Sequence, residues 1–330
     1  MEADIAIDDK RIGARTTFED EARTIKTLST VEVRVPASTS NLGAGFDCCG
    51  LALKLYLRAR ASVRPDGTPV AIRTSGEGAS LCAEKNLLYR AMRFVTEREG
   101  LRLPPVRLAV RSEIPLASGL GSSGAAILAG VALANELSGR PLSVETMLRY
   151  ATQLEGHADN VAAALLGGWV VHAINPDGSV LAVRRPWPAD LKIIVVTPHV
   201  QLETAQARAA LPELVQRADA VFNMQRIALF HAAIENGDYD LLWEAMRDRL
   251  HQPYRQDLVP GLAEALAIQR VEGLLGVALS GAGPSVVALA RHHDRRIAEL
   301  IAQPFHRHGT KTTVRFLEVD ERGLEIRTGC

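Results

Sequence analysis

The sequence is short of cysteine and has no excess of charge of either sign. Its four cysteines form no C-x-x-C pair, and the adjacent Cys48 and Cys49 have a poor geometry for a disulfide. This pattern favours reduced thiols in an intracellular protein. The 38 basic and 38 acidic residues give a formal net charge of zero. The composition therefore shows no excess of basic residues of the kind that would favour binding to nucleic acid or to an anionic membrane surface.

The sequence also lacks a long apolar run. No segment reaches the roughly 18 to 20 apolar residues that a membrane-spanning helix requires. The N-terminus carries Asp4, Asp8, Asp9 and Lys10 where a secretory signal would have a basic start and an apolar core. We therefore expect a soluble, cytoplasmic protein. With 330 residues, of which 47% are apolar, the chain is long enough for two domains with stable cores.

The pattern of charge and hydrophobicity divides the chain into three parts. Residues 1–30 mix charge and threonine without an apolar period, which is typical of an N-terminal extension. Ordered patterns begin near Val31. Pro186 and Pro188 then precede a β-branched run, and we place a domain junction there. The predicted domains are residues 31–185 and 186–330.

Hydrophobic periodicity predicts an α+β protein. Alternation at residues 31–35 and an apolar run through 57–61 indicate strands, and a turn at 65–67 predicts a hairpin with residues 70–74. Helical patterns occupy residues 86–99, 127–137, 145–154, 203–210, 214–236, 240–249 and 262–272, and a helix of small residues is expected within 155–168, before a double glycine. Further strands are expected at 106–110, 169–173, 191–198, 276–279, 285–289 and 312–317.

A glycine- and serine-rich segment, PLASGLGSSGAA, spans Pro115 to Ala126 and leads into a helix-forming run. The first turn of a helix has four amide N–H groups without intrahelical partners and carries the positive end of the helix dipole. Glycines let the preceding loop close around a bound anion without steric clash. The segment therefore predicts a phosphate-binding loop, although glycine content alone is equally compatible with a plain connector.

Residues Gly119 to Gly124 also spell G-x-G-x-x-G, the dinucleotide-binding pattern. That pattern needs a strand running into the first glycine and an acidic residue about 20 positions later, at the end of the next strand. Here Pro115 interrupts the preceding strand, and residues 139–144 offer no strand that ends in an acid. A Rossmann site is therefore disfavoured, and no Gly-Lys-Ser/Thr follows to make a Walker A loop.

Three separated blocks carry a resemblance to a known superfamily. RVPASTSNLGAGFD (residues 34–47), PLASGLGSSGAA (115–126) and ALSGAGPSVVAL (278–289) resemble, in order and spacing, the signature motifs of the GHMP small-molecule kinases. Within that superfamily, EGHADNVAAALLGG and LETAQARAALP followed by HQPYRQDLVPG are similar to the homoserine kinases. The resemblance covers about residues 31–320. It implies an N-terminal ribosomal-protein-S5-like domain and a C-terminal ferredoxin-like domain.

The resemblance implies an ATP site with magnesium. The residues implied to hold the nucleotide phosphates are Pro115, Ser118, Gly119, Leu120, Gly121, Ser122, Ser123, Gly124 and Ala125. Ser123 and Glu155 match the implied magnesium ligands, because hydroxyl and carboxylate oxygens suit that cation. Asn86 corresponds to a residue that contacts the base or ribose.

The resemblance also implies a site for L-homoserine. The implied substrate residues are Asn41, Asp47, Asn160, Thr204, Arg208, Arg255, Gly281 and Gly283. Homoserine is a zwitterion, so its site needs an anion for the ammonium group and cations for the carboxylate. Asp47 suits the first role, while Arg208 and Arg255 suit the second because a guanidinium can grip a carboxylate with two bonds.

The proton of the substrate hydroxyl is a separate question. Asn160 can orient a hydroxyl but cannot accept its proton. We therefore hypothesise that no side chain acts as a dedicated base and that the proton passes to the phosphate. His157 is expected to be structural. Three other functions stay open at this stage: another GHMP kinase with a different alcohol, a dinucleotide-binding oxidoreductase, and a non-catalytic binding protein. A homodimer is possible.

Overall fold

The structure is a computed structural model that describes residues 30–64, 71–76, 86–139 and 142–329. Most of the predicted N-terminal extension lies outside the described residues. The predicted turn at residues 65–67, Cys82 and Cys330 also lie outside them.

The described residues form eleven strands and ten α-helices. The strands are β1 (Thr30–Asn41), β2 (Gly45–Val63), β3 (Ala71–Gly76), β4 (Val106–Ser112), β5 (Trp169–Ile174), β6 (Val180–Arg185), β7 (Lys192–Pro198), β8 (Leu274–Leu279), β9 (Val286–Ala290), β10 (Thr312–Leu317) and β11 (Glu325–Gly329). The helices are α1 (Leu87–Arg98), α2 (Ser122–Leu137), α3 (Val144–Glu155), α4 (Asp159–Leu166), α5 (Thr204–Ala209), α6 (Arg217–Asn236), α7 (Leu242–Ala245), α8 (Gln252–Arg255), α9 (Leu262–Leu266) and α10 (Asp294–Arg307). No helix in these ranges is both long enough and apolar enough to span a membrane.

The first sheet has seven strands and is mainly antiparallel. Its order is β11-β1-β2-β4-β3, and β5 joins β2 while β6 joins β5. β1 and β2 pair along nearly their whole length, with register shifts after Pro36 and Ser40. These irregularities lie where β1 enters the glycine-rich segment of residues 36–47. The long pairing therefore carries that segment to one end of the sheet.

The predicted hairpin between the second and third strands is wrong. β3 pairs with β4, in parallel, with Ala71 opposite Arg107. β4 itself occupies the edge of β2, where Leu57 lies opposite Ser112, so that edge is not available to β3. The hairpin was predicted because the two strands are adjacent in the sequence, but β4, which comes later in the chain, lies between β2 and β3 in the sheet.

The second sheet has four antiparallel strands in the order β10-β7-β9-β8. Numbered within this unit the order is 4-1-3-2, and helices follow its first and third strands, as expected for a ferredoxin-like unit. A core cluster joins the apolar faces of this sheet and α10, including Ile194, Ile297, Ile301 and Phe305. The α+β architecture with two sheets is confirmed.

Four elements were not predicted from the sequence: β6, α8, α10 and β11. The α10 pattern was present, because Ile297, Ile301 and Phe305 recur at helical spacing, but the charged residues around them concealed it. β11 pairs with β1, so the chain returns to the first sheet after completing the second. The predicted division at residue 186 had assigned this strand to the second domain.

Helix α2 lies in the interior and presents its N-terminus to one end of the first sheet. Its residues from Gly124 to Asn135 are nearly all buried. Gly130 lies where α1 crosses α2, and a Cβ there would come within 2.2 Å of the Leu88 carbonyl oxygen. The absence of a side chain at this position lets the two helices approach closely.

We expect Gly130→Ala to destabilise the fold by about 1–3 kcal/mol through overpacking, although alanine has the better helix propensity. Urea unfolding at equilibrium would measure the change. Gly329→Ala is a suitable control, because an added methyl there would meet no atom within 4 Å. Equal or greater stability of Gly130→Ala would contradict the close-approach interpretation.

Candidate active site

Three glycine-rich segments meet at the N-terminus of α2, and we call them the first loop (residues 36–47, the end of β1, the turn at 42–44 and the start of β2), the second loop (115–121) and the third loop (280–285). Backbone hydrogen bonds join the first loop to both of the others. The Ser38 amide donates to the Leu120 carbonyl at 3.2 Å, and the Gly281 amide donates to the Ser40 carbonyl at 3.1 Å. The two sheets are therefore joined at this point through main-chain contacts.

The second and third loops also contact each other directly. Ser280 Oγ donates to the Gly119 carbonyl at 2.7 Å, and the Ser285 amide donates to the Ser118 carbonyl at 3.1 Å. Gly119 has φ 81°, and a Cβ at this residue would lie 2.1 Å from the Ser280 carbonyl oxygen. Only glycine satisfies both the left-handed conformation and this close approach.

A cavity of about 700 Å³ lies where the three loops meet. Most of the predicted site residues line it. These are Asn41, Asp47, Ser118, Gly119, Gly121, Ser122, Ser123, Glu155, Asn160, Thr204, Arg208, Arg255 and Gly281. Residues from both sheets and from the helices between them therefore meet around one space.

The other predicted residues lie behind the cavity wall or beside it. The Pro115 carbonyl accepts from Ser118 Oγ at 2.9 Å, and the Leu120 carbonyl accepts from the first loop. Gly124 and Ala125 lie in the buried first turns of α2, and Gly283 lies in the third loop beneath Gly119. These residues shape the loops rather than line the cavity.

Asn86 lies at a second, smaller cavity of about 130 Å³. Its side-chain oxygen accepts from the Tyr89 amide at 3.2 Å and so caps α1. Leu87, Ser122 and Ser123 line both this cavity and the larger one, so the two are adjacent. The predicted nucleoside contact therefore lies next to the predicted phosphate loop.

The N-terminus of α2 has no side-chain cap. Its N-cap residue is Gly121 at φ 69°, and a Cβ there would lie 2.3 Å from Ser38 Oγ and 3.1 Å from Asn160 Nδ2. Ser122 and Ser123, the first two residues of the helix, line the cavity, and the helix has no side-chain cap there. Uncapped amides together with the helix dipole favour an anion at this position.

A row of polar side chains, joined by hydrogen bonds and one longer ion-pair contact, leads from α2 to α4. Ser123 Oγ donates to Glu155 Oε1, and His157 Nε2 lies 3.8 Å from the same carboxylate oxygen. His157 Nδ1 lies 2.5 Å from Asp159 Oδ1, which also accepts from the Asn160 amide at 2.7 Å. All the side chains from Glu155 to Asn160 that take part are largely buried, because the turn between α3 and α4 folds inward.

Burial and pairing shift the pKa values in this cluster. Burial raises the pKa of Glu155, and the hydrogen bond from Ser123 and the charge of His157 offset only part of the rise. Burial is the largest single influence on His157 and would lower its pKa, but the hydrogen bond to Asp159 and the charges of Asp159 and Glu155 together outweigh it, so the pKa lies above its usual value. Burial is also the largest influence on Asp159, yet the hydrogen bond and charge of His157 and the Asn160 amide together hold its pKa below the usual value.

Asp47 and Arg208 form an ion pair across the cavity. Arg208 Nη1 and Nη2 donate to the two carboxylate oxygens of Asp47 at 3.0 and 2.8 Å. Asp47 has φ 52°, and its amide donates to Asn41 Oδ1 at 3.1 Å. The Asn41 amide group donates in turn to the Gly281 carbonyl at 2.9 Å. Asn41 therefore fixes the backbone of both Asp47 and the third loop.

Arg255 is only 1% exposed, yet it reaches the cavity. Its Nε donates to the Ala207 carbonyl at 3.1 Å, and its Nη1 donates to the Gly281 carbonyl at 3.3 Å. Burial lowers its pKa to about 10, and the nearby charge of Arg208 contributes to this shift. The ring of Phe46 lies 5.3 Å from the Arg255 guanidinium and 5.9 Å from that of Arg208.

Ten further residues that line the cavity were not predicted as site residues from the sequence. These are Ser40, Phe46, Leu87, Arg90, Ala117, His157, Asp159, Glu203, Ala205 and Ala282. Some carried a usable signal: Phe46 adjoins Asp47 in the first loop, and Arg90 lies one helical turn after Asn86. His157 was expected to be structural. Its pairing with Asp159 fits that expectation, but it also borders the cavity.

Comparison with known proteins identifies the class to which this fold and site belong. Residues 86–168 match the family model of the GHMP kinases N terminal domain, and residues 230–308 match that of the GHMP kinases C terminal domain. Homoserine kinase from Solibacter usitatus is 42% identical over 296 residues, which is 89% of this chain and 96% of the relative. Homoserine kinase from Moorella thermoacetica is 43% identical, over 89% of this chain and 99% of the relative.

A solved structure agrees with these matches. The crystal structure of homoserine kinase from Cytophaga hutchinsonii has a TM-score of 0.79 and 28% identity, and the alignment covers 91% of this chain and 98% of that chain. The chain belongs to the homoserine kinases of the GHMP kinase family. This membership overturns the dinucleotide-binding alternative. The structure agrees with this. A dinucleotide site needs a tight turn from strand to helix, whereas here residues 113–121, including Pro115, separate β4 from α2.

We expect the pairing of His157 with Asp159 to stabilise the fold in a pH window. A raised histidine pKa contributes stability below its unfolded value of about 6.5, and this is lost as pH rises through the folded pKa. A lowered aspartate pKa contributes stability above about 3.9, and this is lost as pH falls. His157→Asn should therefore cost most, on the order of 1–3 kcal/mol, between about pH 4 and 6.5.

Urea unfolding from pH 4 to 9 would test this expectation, with the exposed His199→Asn as the matched control. A destabilisation by His157→Asn that grows towards alkaline pH would contradict the proposed charge state of the pair.

Proposed function

We propose that this chain transfers the γ-phosphate of ATP to the side-chain hydroxyl of L-homoserine, giving O-phospho-L-homoserine for threonine biosynthesis, with Mg²⁺ as the cation. The supporting observation is that one cavity joins an uncapped helix N-terminus to a carboxylate and two guanidinium groups. The first feature suits phosphate, and the others suit the two charged groups of an amino acid.

The phosphates would lie against the second loop and the first turn of α2. Backbone amides there supply hydrogen bonds without a conformational change, and the helix dipole favours the negative charge. The base or ribose would occupy the adjoining cavity at Asn86, because that cavity shares Ser122 and Ser123 with the phosphate region. Arg90 lines the larger cavity nearby and is a further candidate to contact the nucleotide.

Ser123 and Glu155 fit the requirements of a magnesium ion. Their oxygens are already adjacent, since the hydroxyl donates to the carboxylate, and both line the cavity beside the phosphate loop. When bound, the cation would neutralise charge on the transferring phosphate. Glu155 must be ionised to hold it, and its raised pKa implies that binding competes with a proton.

Homoserine would lie between Asp47 on one side and Arg208 and Arg255 on the other. Arg255 is held rigidly by two carbonyl groups, so it presents a fixed direction to a carboxylate. Thr204 begins α5, one turn before Arg208, and also lines the cavity. Gly281 completes this wall, and Gly283 supports it from within the third loop.

Asn160 would orient the reacting hydroxyl without accepting its proton. Its Nδ2 donates to Ser38 Oγ at 3.0 Å, which fixes the amide next to Gly121. We retain the hypothesis that the proton passes to the phosphate and that no side chain is a dedicated base. Single-turnover phosphoryl transfer by His157→Asn tests it, and complete loss of transfer would count against it. The homodimer and the cytoplasmic location stay predictions.

Release of ADP from Mg-ATP in the presence of different acceptors is the decisive measurement. We expect release with L-homoserine to exceed that with mevalonate, galactose or no acceptor by about 100-fold or more, because mevalonate lacks the ammonium group that Asp47 would bind and galactose lacks both the ammonium group and the carboxylate. Comparable release with another alcohol would favour the alternative, a GHMP kinase with a different acceptor.

We expect Glu155→Gln to raise the Mg²⁺ concentration needed for half-maximal rate by about 10- to 100-fold, because an amide oxygen carries no charge. Titration of Mg²⁺ at fixed ATP would measure this. Glu145→Gln provides the control, since Glu145 lies in the first turn of the same helix but is exposed. If Glu155→Gln needs the same Mg²⁺ concentration for half-maximal rate as wild type, Glu155 is not a ligand of the cation.

A further inference from the structure

The two residues proposed to hold the opposite charges of the substrate bind each other in this structure. Asp47 comes from β2 of the first sheet, and Arg208 comes from α5, which follows the first strand of the second sheet. Both Arg208 Nη atoms donate to Asp47, at 3.0 and 2.8 Å, so each group satisfies the other's charge and geometry. We call this the Asp47–Arg208 pair.

The position of the pair allows each side chain to exchange its partner for a charged group of a ligand. The side chains are 35% and 37% exposed, and both border the cavity. Ion pairs with this exposure shift an equilibrium only by roughly 1.5- to 5-fold. The Asp47 backbone, in contrast, is held at φ 52° by the bond to Asn41, so its carboxylate would keep its place after Arg208 leaves.

We propose that the Asp47–Arg208 pair is a charge-exchange device that selects zwitterionic substrates, an inference that rests on the proposed function above. Separation of the pair leaves one carboxylate and one guanidinium without counter-charges. An α-amino acid supplies both at once, its ammonium to Asp47 and its carboxylate to Arg208. A ligand that carries only one charge satisfies one partner and leaves the other unpaired, and that loss weakens its binding.

Neighbouring groups favour this exchange. Arg255 remains beside Arg208, with the Phe46 ring against both guanidinium groups, so a carboxylate entering between them meets two cations. The two bonds from Arg255 to backbone carbonyls keep it in place while Arg208 changes partner. On the other side, Glu155 and Asp159 line the same cavity and contribute negative charge near an incoming ammonium.

Two analogues of homoserine, each lacking one charge, separate this proposal from simple contact. 4-Hydroxybutanoate lacks the ammonium group, and 3-aminopropan-1-ol lacks the carboxylate. A single-charge ligand has no partner for one member of the Asp47–Arg208 pair. A variant that lacks the charge of that member should bind the ligand more tightly, because binding then leaves no charged group unpaired. Asp47→Asn should therefore bind 4-hydroxybutanoate roughly 2- to 5-fold more tightly than wild type, and Arg208→Gln should do the same for 3-aminopropan-1-ol.

The same variants should bind L-homoserine about 10- to 100-fold more weakly, and each should lose affinity for the analogue whose charge it no longer matches. Dissociation constants measured by titration calorimetry provide the comparison for wild type and both variants. Thermal unfolding and the dissociation constant for ATP show whether each variant is folded with an intact nucleotide site.

The gain in affinity for the mismatched analogue decides the outcome. If each variant binds its single-charge analogue no better than wild type does, the charge-exchange proposal is overturned, because a merely structural role weakens every ligand. Failure of wild-type enzyme to phosphorylate homoserine would instead overturn the proposed function. The binding constants are measured without turnover, so the two failures remain distinguishable.

Discussion

The main-chain hydrogen bonds among the three glycine-rich loops are the constraint on which the cavity depends. Each loop lies at the end of a different element, and each bonds to both of the others through backbone or serine groups. Side chains at Gly119 or Gly121 would occupy the space these bonds require. The loops therefore hold one another in place. The functional side chains on or directly after them, such as Asp47 and Ser123, are held in place as well.

This constraint explains how residues far apart in sequence act on one small ligand. The first loop supplies an anion and the second an uncapped helix N-terminus, while α5 and α8 bring two cations from the other side. Asn41 links these contributions because its amide bonds to the first and third loops together. Rigid support of this kind is what a phosphoryl transfer requires, since positioning and electrostatics supply most of the catalysis.

Much of this arrangement could be predicted from the sequence, for physical reasons that differ between residues. The glycine pattern at 119–124 implied close backbone approach, and the three-block resemblance supplied the order of contacts. Local patterns could not show that Asp47 and Arg208 pair with each other, because the pairing depends on how β2 and α5 meet in space. Nor could they show that β4 separates β3 from β2, since strand order depends on which edge each segment reaches.

The return of β11 to β1 has a consequence for how the protein forms. Arg34 and Glu325 are bonded across 291 positions of sequence, in the same sheet that carries the first loop. During synthesis, that edge of the sheet stays open until nearly all of the described chain has left the ribosome. The first sheet can therefore be completed only after the second has been translated, and a fragment ending at residue 185 would lack one of its strands.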